Sequence, residues 1–116
     1  MKIITKSQKV KLEELKKEAQ KMYGNLIKGV VDVKKEIMVI YGKMHSDEEK
    51  LLLDNGSKQE NLWGINIYPN KYPEEGWIEI DSIINLRPSQ GNFSRTVEDK
   101  NLATRIVKIA EALIEK

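Results

Sequence analysis

The chain of 116 residues has no cysteine and a single histidine, and each scarcity closes off chemistry. Without cysteine there is no disulfide framework, no thiolate metal site and no cysteine nucleophile. One histidine excludes a multi-histidine metal centre within one chain, and no metal site is read from the residues. No apolar run approaches the roughly 20 residues of a membrane span. The opening Met1-Lys2-Ile3-Ile4-Thr5-Lys6-Ser7 has too short an apolar stretch for a signal peptide, so a cytoplasmic protein with no membrane association is expected. Charge of one sign is also missing. Twenty basic residues face 18 acidic ones, a net of +2, which argues against both a disordered polyelectrolyte and a histone-like coat.

What is present suffices for one core. A hydrophobic fraction of 40% in a chain of this length implies a single domain over residues 1–116. Ser7 is positioned to cap a helix running to about Tyr23, with Gly24 ending it in the left-handed conformation. Leu12, Leu15, Ala19 and Met22 form its apolar stripe. From Leu26 to Tyr41 β-branched residues dominate and read as a hairpin reversing at Lys34-Lys35-Glu36. In that reading Ile27, Val31, Val33, Ile37, Val39 and Tyr41 share one face, and Lys28, Val30, Asp32, Met38 and Ile40 the other. Ser46 with Glu49 forms a capping box for a short helix through Leu51, Leu52 and Leu53, which Asp54-Asn55-Gly56 stops.

Leu62 to Tyr68 alternates, with Trp63, Ile65 and Ile67 opposite Gly64, Asn66 and Tyr68. Pro69 to Gly76 is a turn-rich connection holding two of the three prolines. Trp77 to Leu86 then reads as a strand with Ile78, Ile80, Ile84 and Leu86 on one side and Glu79, Asp81, Asn85 and Arg87 on the other. Pairing Tyr68 with Trp77 sets Ile67 beside Ile78, Asn66 beside Glu79 and Ile65 beside Ile80. Pro88 to Asp99 is a polar loop, and Asp99 or Thr96 caps a last helix to about Glu115 with Leu102, Ile106, Ile109 and Leu113 inward. The expected fold is α+β: a mainly antiparallel sheet of two hairpins, about four strands with a possible N-terminal edge strand at Met1 to Thr5. Two long helices and one short one cover one face of that sheet.

The densest group of donors is Arg87-Pro88-Ser89-Gln90-Gly91-Asn92-Phe93-Ser94-Arg95. Guanidinium forks suit carboxylates and phosphates, and the loop feeds a helix N-terminus. Arg87, Gln90, Asn92 and Arg95 are therefore the candidate ligand-binding residues, with His45 and Gln59 completing the rim. The competing reading is a loop whose polar groups bond its own backbone. Glu79 and Asp81 form a second group, suited to acid–base work or a hard cation, against the plain alternative of a solvated sheet face. His45, in His-Ser-Asp-Glu-Glu, is either a base or a hydrogen-bonded structural residue. Ser57 lacks the flanks of a nucleophile elbow. Nucleic acid is disfavoured, because Glu74, Glu75 and Glu79 crowd the tip that carries Tyr68, Tyr72 and Trp77.

Two segments are distinctive: Gly56-Ser57-Lys58-Gln59-Glu60-Asn61-Leu62-Trp63-Gly64-Ile65-Asn66-Ile67-Tyr68-Pro69, and Asp81-Ser82-Ile83-Ile84-Asn85-Leu86-Arg87-Pro88-Ser89-Gln90-Gly91-Asn92 continuing through Ser94-Arg95. With His45-Ser46-Asp47-Glu48-Glu49 they make the whole chain resemble a family of small prokaryotic proteins of unknown function. That resemblance implies no activity, cofactor or catalytic residue. The residues alone favour a module binding a polar or anionic ligand or partner. A homodimer-forming or docking protein using Val30, Met38 and Ile40 is the first alternative, and a metal-assisted or acid–base hydrolase using His45, Asp81 and Glu79 the second. No motif specifies a cofactor.

Overall fold

The computed structural model describes all 116 residues, the side chain of Tyr23 excepted. Five antiparallel strands form the main sheet: β1 (Lys2–Ile4), β3 (Ile27–Asp32), β4 (Ile37–Ile40), β5 (Leu62–Ile67) and β6 (Ile78–Glu79), in the spatial order β1-β4-β3-β5-β6. A two-stranded parallel pair, β2 (Val10–Lys11) with β7 (Ile114–Glu115), ties the two ends of the chain together. The helices are α1 (Leu12–Ala19), α2 (His45–Asp54) and α3 (Lys100–Ala112). The fold is thus α+β with a mainly antiparallel sheet, and the N-terminal edge strand is present.

Several local expectations are corrected. Helix α1 is only eight residues long, starts after Lys11 rather than Ser7, and has no side-chain cap. Ser7 instead lies in a tight turn whose Thr5 and Gln8 backbones bond each other, and β2 occupies the residues before the helix. Gly24 does take φ 80°, but within a separate 3-10 turn. The Ser46–Glu49 capping box is not made: α2 begins two residues earlier, with Met44 at the N-cap and no side-chain cap. Asp99 does cap α3, its Oδ1 accepting from the amides of Asn101 and Leu102 at 2.9 and 3.2 Å.

The first hairpin is shifted by one residue from the expected pairing. Val30 pairs with Val39 and Val31 with Met38. The turn residues Val33 to Glu36 decide this: Asp32 closes the turn, its Oδ1 accepting from the amides of Lys34 and Lys35, and Glu36 adopts φ 57°. Because side chains alternate with period two, that single shift moves every β4 residue to the other face.

Helices cover both faces of the sheet, not one. On one face α1 and α3 enclose Ile27, Val31, Met38, Ile40, Trp63, Ile65 and Ile67. On the other, α2 covers a smaller cluster of Val30, Val39, Leu52 and Leu62. Val30, Met38 and Ile40 therefore lie on different faces and are buried within the chain, so they offer no surface to a second copy.

The third large correction concerns Trp77 to Leu86. The strand ends at Glu79, after the two expected pairs Asn66–Glu79 and Ile67–Ile78. Ser82 then starts a 3-10 turn over Ile83–Asn85, accepting from the Ile84 amide. Ile80 packs with the α1/α3 core and Ile84 with the α2 cluster, whereas Ile83 is 61% and Leu86 40% exposed. The inward–outward alternation expected of this segment does not hold past Glu79. The physical reason is a substitution of side chain for strand. Where β6 leaves the sheet, the Asn85 amide bonds both polar groups of Gly64, accepting from its N–H at 2.8 Å and donating to its carbonyl at 3.0 Å. One residue pair further on, Arg87 donates to the Leu62 carbonyl. An asparagine amide reproduces the donor–acceptor pair of a peptide group, so the edge of β5 is satisfied without a neighbouring strand.

Candidate functional site

The donors of the loop mostly bond groups of their own chain. Arg87 is 7% exposed, and its guanidinium stacks 4.1 Å from the Trp63 ring centre. Its Nε donates to the Ile84 carbonyl at 3.0 Å and its Nη1 to the Gln59 carbonyl at 2.6 Å and to Gln90 Oε1 at 2.9 Å. Gln90 in turn donates to the Glu60 carbonyl. Asn92 Nδ2 reaches the carbonyls of Asn85, Ser94 and Thr96, and its Oδ1 accepts from the Glu98 amide. Gln59 contributes its backbone oxygen to Arg87 while its side chain is exposed. These groups bond to their own chain, the competing reading of the donor-rich loop. The expected solvent face is likewise buried at Asn66, Asn85 and Arg87.

Arg95 and His45 behave differently. Both line a cleft of about 230 Å³ at the N-terminus of α2, together with Lys28, Ser46, Asn66 and Asp81. Leu26, Met44 and Ile83 add an apolar edge. Arg95 is placed by its backbone, whose carbonyl accepts from the Ser82 amide at 3.1 Å and from Asn85 Nδ2 at 2.8 Å. Its Nε donates to Asp81 Oδ1 at 2.8 Å, and its side chain remains 58% exposed. Lys28 donates to the Lys43 carbonyl at 3.0 Å.

His45 is fixed by one bond, Nε2 to the Ile65 carbonyl at 2.8 Å. A carbonyl can only accept, so Nε2 carries the proton and the neutral ring has its lone pair on Nδ1. Burial pushes the imidazole below its usual range, and Lys28 and Arg95 add to this, while the Ile65 carbonyl and Asp81 pull the other way. Such a ring is neutral at pH 7. Asn66 forms the floor. It is 8% exposed and directs Nδ2 to Glu79 Oε1 and the Asp81 carbonyl, both acceptors, which leaves Oδ1 with no hydrogen-bond partner. Glu79 is engaged by Asn66 and Tyr68. His45 and Asp81 thus share a cleft, whereas Glu79 is spoken for on β6. No group of three or more metal-ligating side chains occurs among the described residues.

The cleft depends on one close approach. A Cβ on Gly64 would stand 2.5 Å from Ser82 Cβ and 3.2 Å from His45 Cδ2. Gly64→Ala is therefore expected to destabilise the protein by about 2 kcal/mol, since both neighbours are tied to backbone. A urea midpoint unchanged from wild type would show that the approach relaxes freely.

Sequence reasoning missed Lys28 and Ser46 as cleft residues. Lys28 follows once β3 and β5 are neighbours, because it pairs directly with Asn66. Ser46 enters because α2 starts at His45, which places Ser46 in its uncapped first turn at the cleft.

A compact α+β chain with helices on both sheet faces and a small polar cleft at the start of α2 is the class of protein defined so far. The family described as Protein of unknown function (DUF5674) matches residues 2–113, and the chain belongs to it. No curated protein and no solved structure matches the chain. No helix among the described residues is long and apolar enough to cross a membrane.

Proposed function

We propose that this protein binds a small oxyanion, a carboxylate or phosphate, in the cleft between the start of α2 and the Asp81–Arg95 segment. The observation that carries the reading is the convergence of Arg95, Lys28 and the uncapped N-terminus of α2 on one cavity. Because Arg95 uses Nε for Asp81, the Nη edge of its fork is free for an acceptor. The helix start adds positive potential and amide donors. Asp81 opposes an anion, but two cations outweigh one carboxylate. A volume of 230 Å³ is below the roughly 300–1,000 Å³ of sites for drug-sized ligands, which favours a small molecule.

Titration with inorganic phosphate and with acetate, followed by backbone amide NMR, tests this. Shifts centred on Ser46 and Arg95 with Kd on the order of 1 mM are expected, and Arg95→Ala weakens binding about tenfold. Shifts that are absent, or spread over the surface lysines and unaltered by Arg95→Ala, would overturn the proposal.

A further inference from the structure

We infer that the oxyanion bound in this cleft carries a hydrogen-bond donor on the neighbouring carbon, as a hydroxy acid or an amino acid does, and that His45 Nδ1 receives that donor. The inference rests on the anion-binding reading above and specifies its ligand. Two observations support it. First, the Nε2–Ile65 bond fixes the tautomer and leaves Nδ1 as an acceptor, with no hydrogen-bond partner among the described residues. An acceptor at the rim of an anion site repels the lone pairs of a bare carboxylate but welcomes an O–H or N–H beside it. Second, Asp81 commits Oδ1 to Arg95, leaving its second oxygen as another acceptor in the same cavity.

The cleft therefore separates two kinds of group. Arg95, Lys28 and the first amides of α2 offer donors and positive charge. His45 Nδ1 and Asp81 offer acceptors. A bare anion uses only the first set, whereas a molecule with an oxyanion and an adjacent hydroxyl or ammonium uses both. Leu26, Met44 and Ile83 then bound the space left for its carbon skeleton. The cavity volume limits that skeleton to a few atoms.

The charged groups facing His45 are Lys28 from β3, Asp81 beyond β6 and Arg95 from the long loop. Their summed effect, with burial, keeps the ring unprotonated at neutral pH, the state in which Nδ1 can accept. When the ring gains a proton, Nδ1 becomes a donor and the preference is lost.

The test compares acetate, glycolate and glycine as NMR-monitored ligands of the full chain. Glycolate or glycine is expected to bind about tenfold tighter than acetate at pH 7.5. Preference for glycolate identifies the donor as a hydroxyl, and preference for glycine as an ammonium. In His45→Ala the ratio to acetate falls to about one. If that variant does not fold, the wild-type ratio is measured while the His45 imidazole resonances are titrated, and it must collapse as the ring protonates. Acetate binding at Arg95 with no advantage for glycolate or glycine would overturn this inference and leave the anion site standing. Failure of all three ligands would remove both.

Discussion

Arg87→Ala is expected to lower the stability of this protein by about 3 kcal/mol, which for a domain of this size shifts Tm by roughly 10–15 °C. Arg87 bridges Ile84, Gln59 and Leu62 through their carbonyls and lies flat on Trp63. Truncation strands those carbonyls in a region with little access to water, and it opens a void beside the indole. Each interaction is charge-assisted, and buried acceptors left unmade cost more than the net worth of the bond itself. Lysine should not rescue the loss, because a single ammonium cannot span three carbonyls and stack on an aromatic face. Thermal and urea unfolding of Arg87→Ala and Arg87→Lys decide the matter. A loss below about 1 kcal/mol in the alanine variant would mean that Arg87 does not hold the edge of β5, and its role as a ligand donor would reopen.

Glu48→Gln is expected to act in the opposite direction. Glu48 sits on α2 with no exposed surface, its Oε2 accepting from the Gly42 amide at 2.9 Å while Oε1 has no partner. A Cβ on Gly42 would stand 2.5 Å from Glu48 Cγ, so the carboxyl is pressed against the chain between β4 and α2. Burial pushes its pKa up to about 9, against which the Gly42 amide and Lys28 are lesser effects. In the unfolded chain the same carboxyl ionises near 4.5. Between these two values the folded state holds a proton that the unfolded state has released. Stability therefore falls as pH rises from about 4.5 to about 9 and levels off above that.

Glutamine keeps an acceptor for Gly42 and carries no charge to bury. The variant should be more stable than wild type by on the order of 2–3 kcal/mol at pH 7. The gain should vanish toward pH 4.5 and be largest near pH 9. Denaturation of both proteins at several pH values measures it. A stability difference that stays flat from pH 5 to pH 9 would show that Glu48 is ionised in the folded protein.

At both residues the tertiary structure departs from the local pattern. His45-Ser46-Asp47-Glu48-Glu49 carries the acidic residues that a solvent-facing first helical turn favours. Helix α2 does begin there. But it lies across the sheet, and the turn that faces inward carries Glu48. Likewise the segment from Arg87 to Arg95 is dense in donors. Most of them bond carbonyls of their own chain, and Arg87 reaches the Leu62 carbonyl on the edge of β5 that the two-residue β6 leaves open.

The amphipathic stripes of α1 and α3, the β-branched runs of β3 and β4, the pairing of Tyr68 with Trp77 and the Asp99 cap are local or nearly local properties, and the amino-acid sequence determined them alone. Periodicity and capping act over a few residues, so no distant partner is needed to specify them. The first hairpin's register, the placing of α2 on the opposite face from α1 and α3, and the departure of β6 from the sheet were decided only in three dimensions. A one-residue turn conformation, an asparagine standing in for a peptide group and an arginine bridging carbonyls from separated segments leave no periodic trace. The same is true of the cleft. Lys28, His45, Asn66 and Arg95 meet because β3 and β5 pair and α2 packs across them, and burial then sets which of their atoms are left to bind.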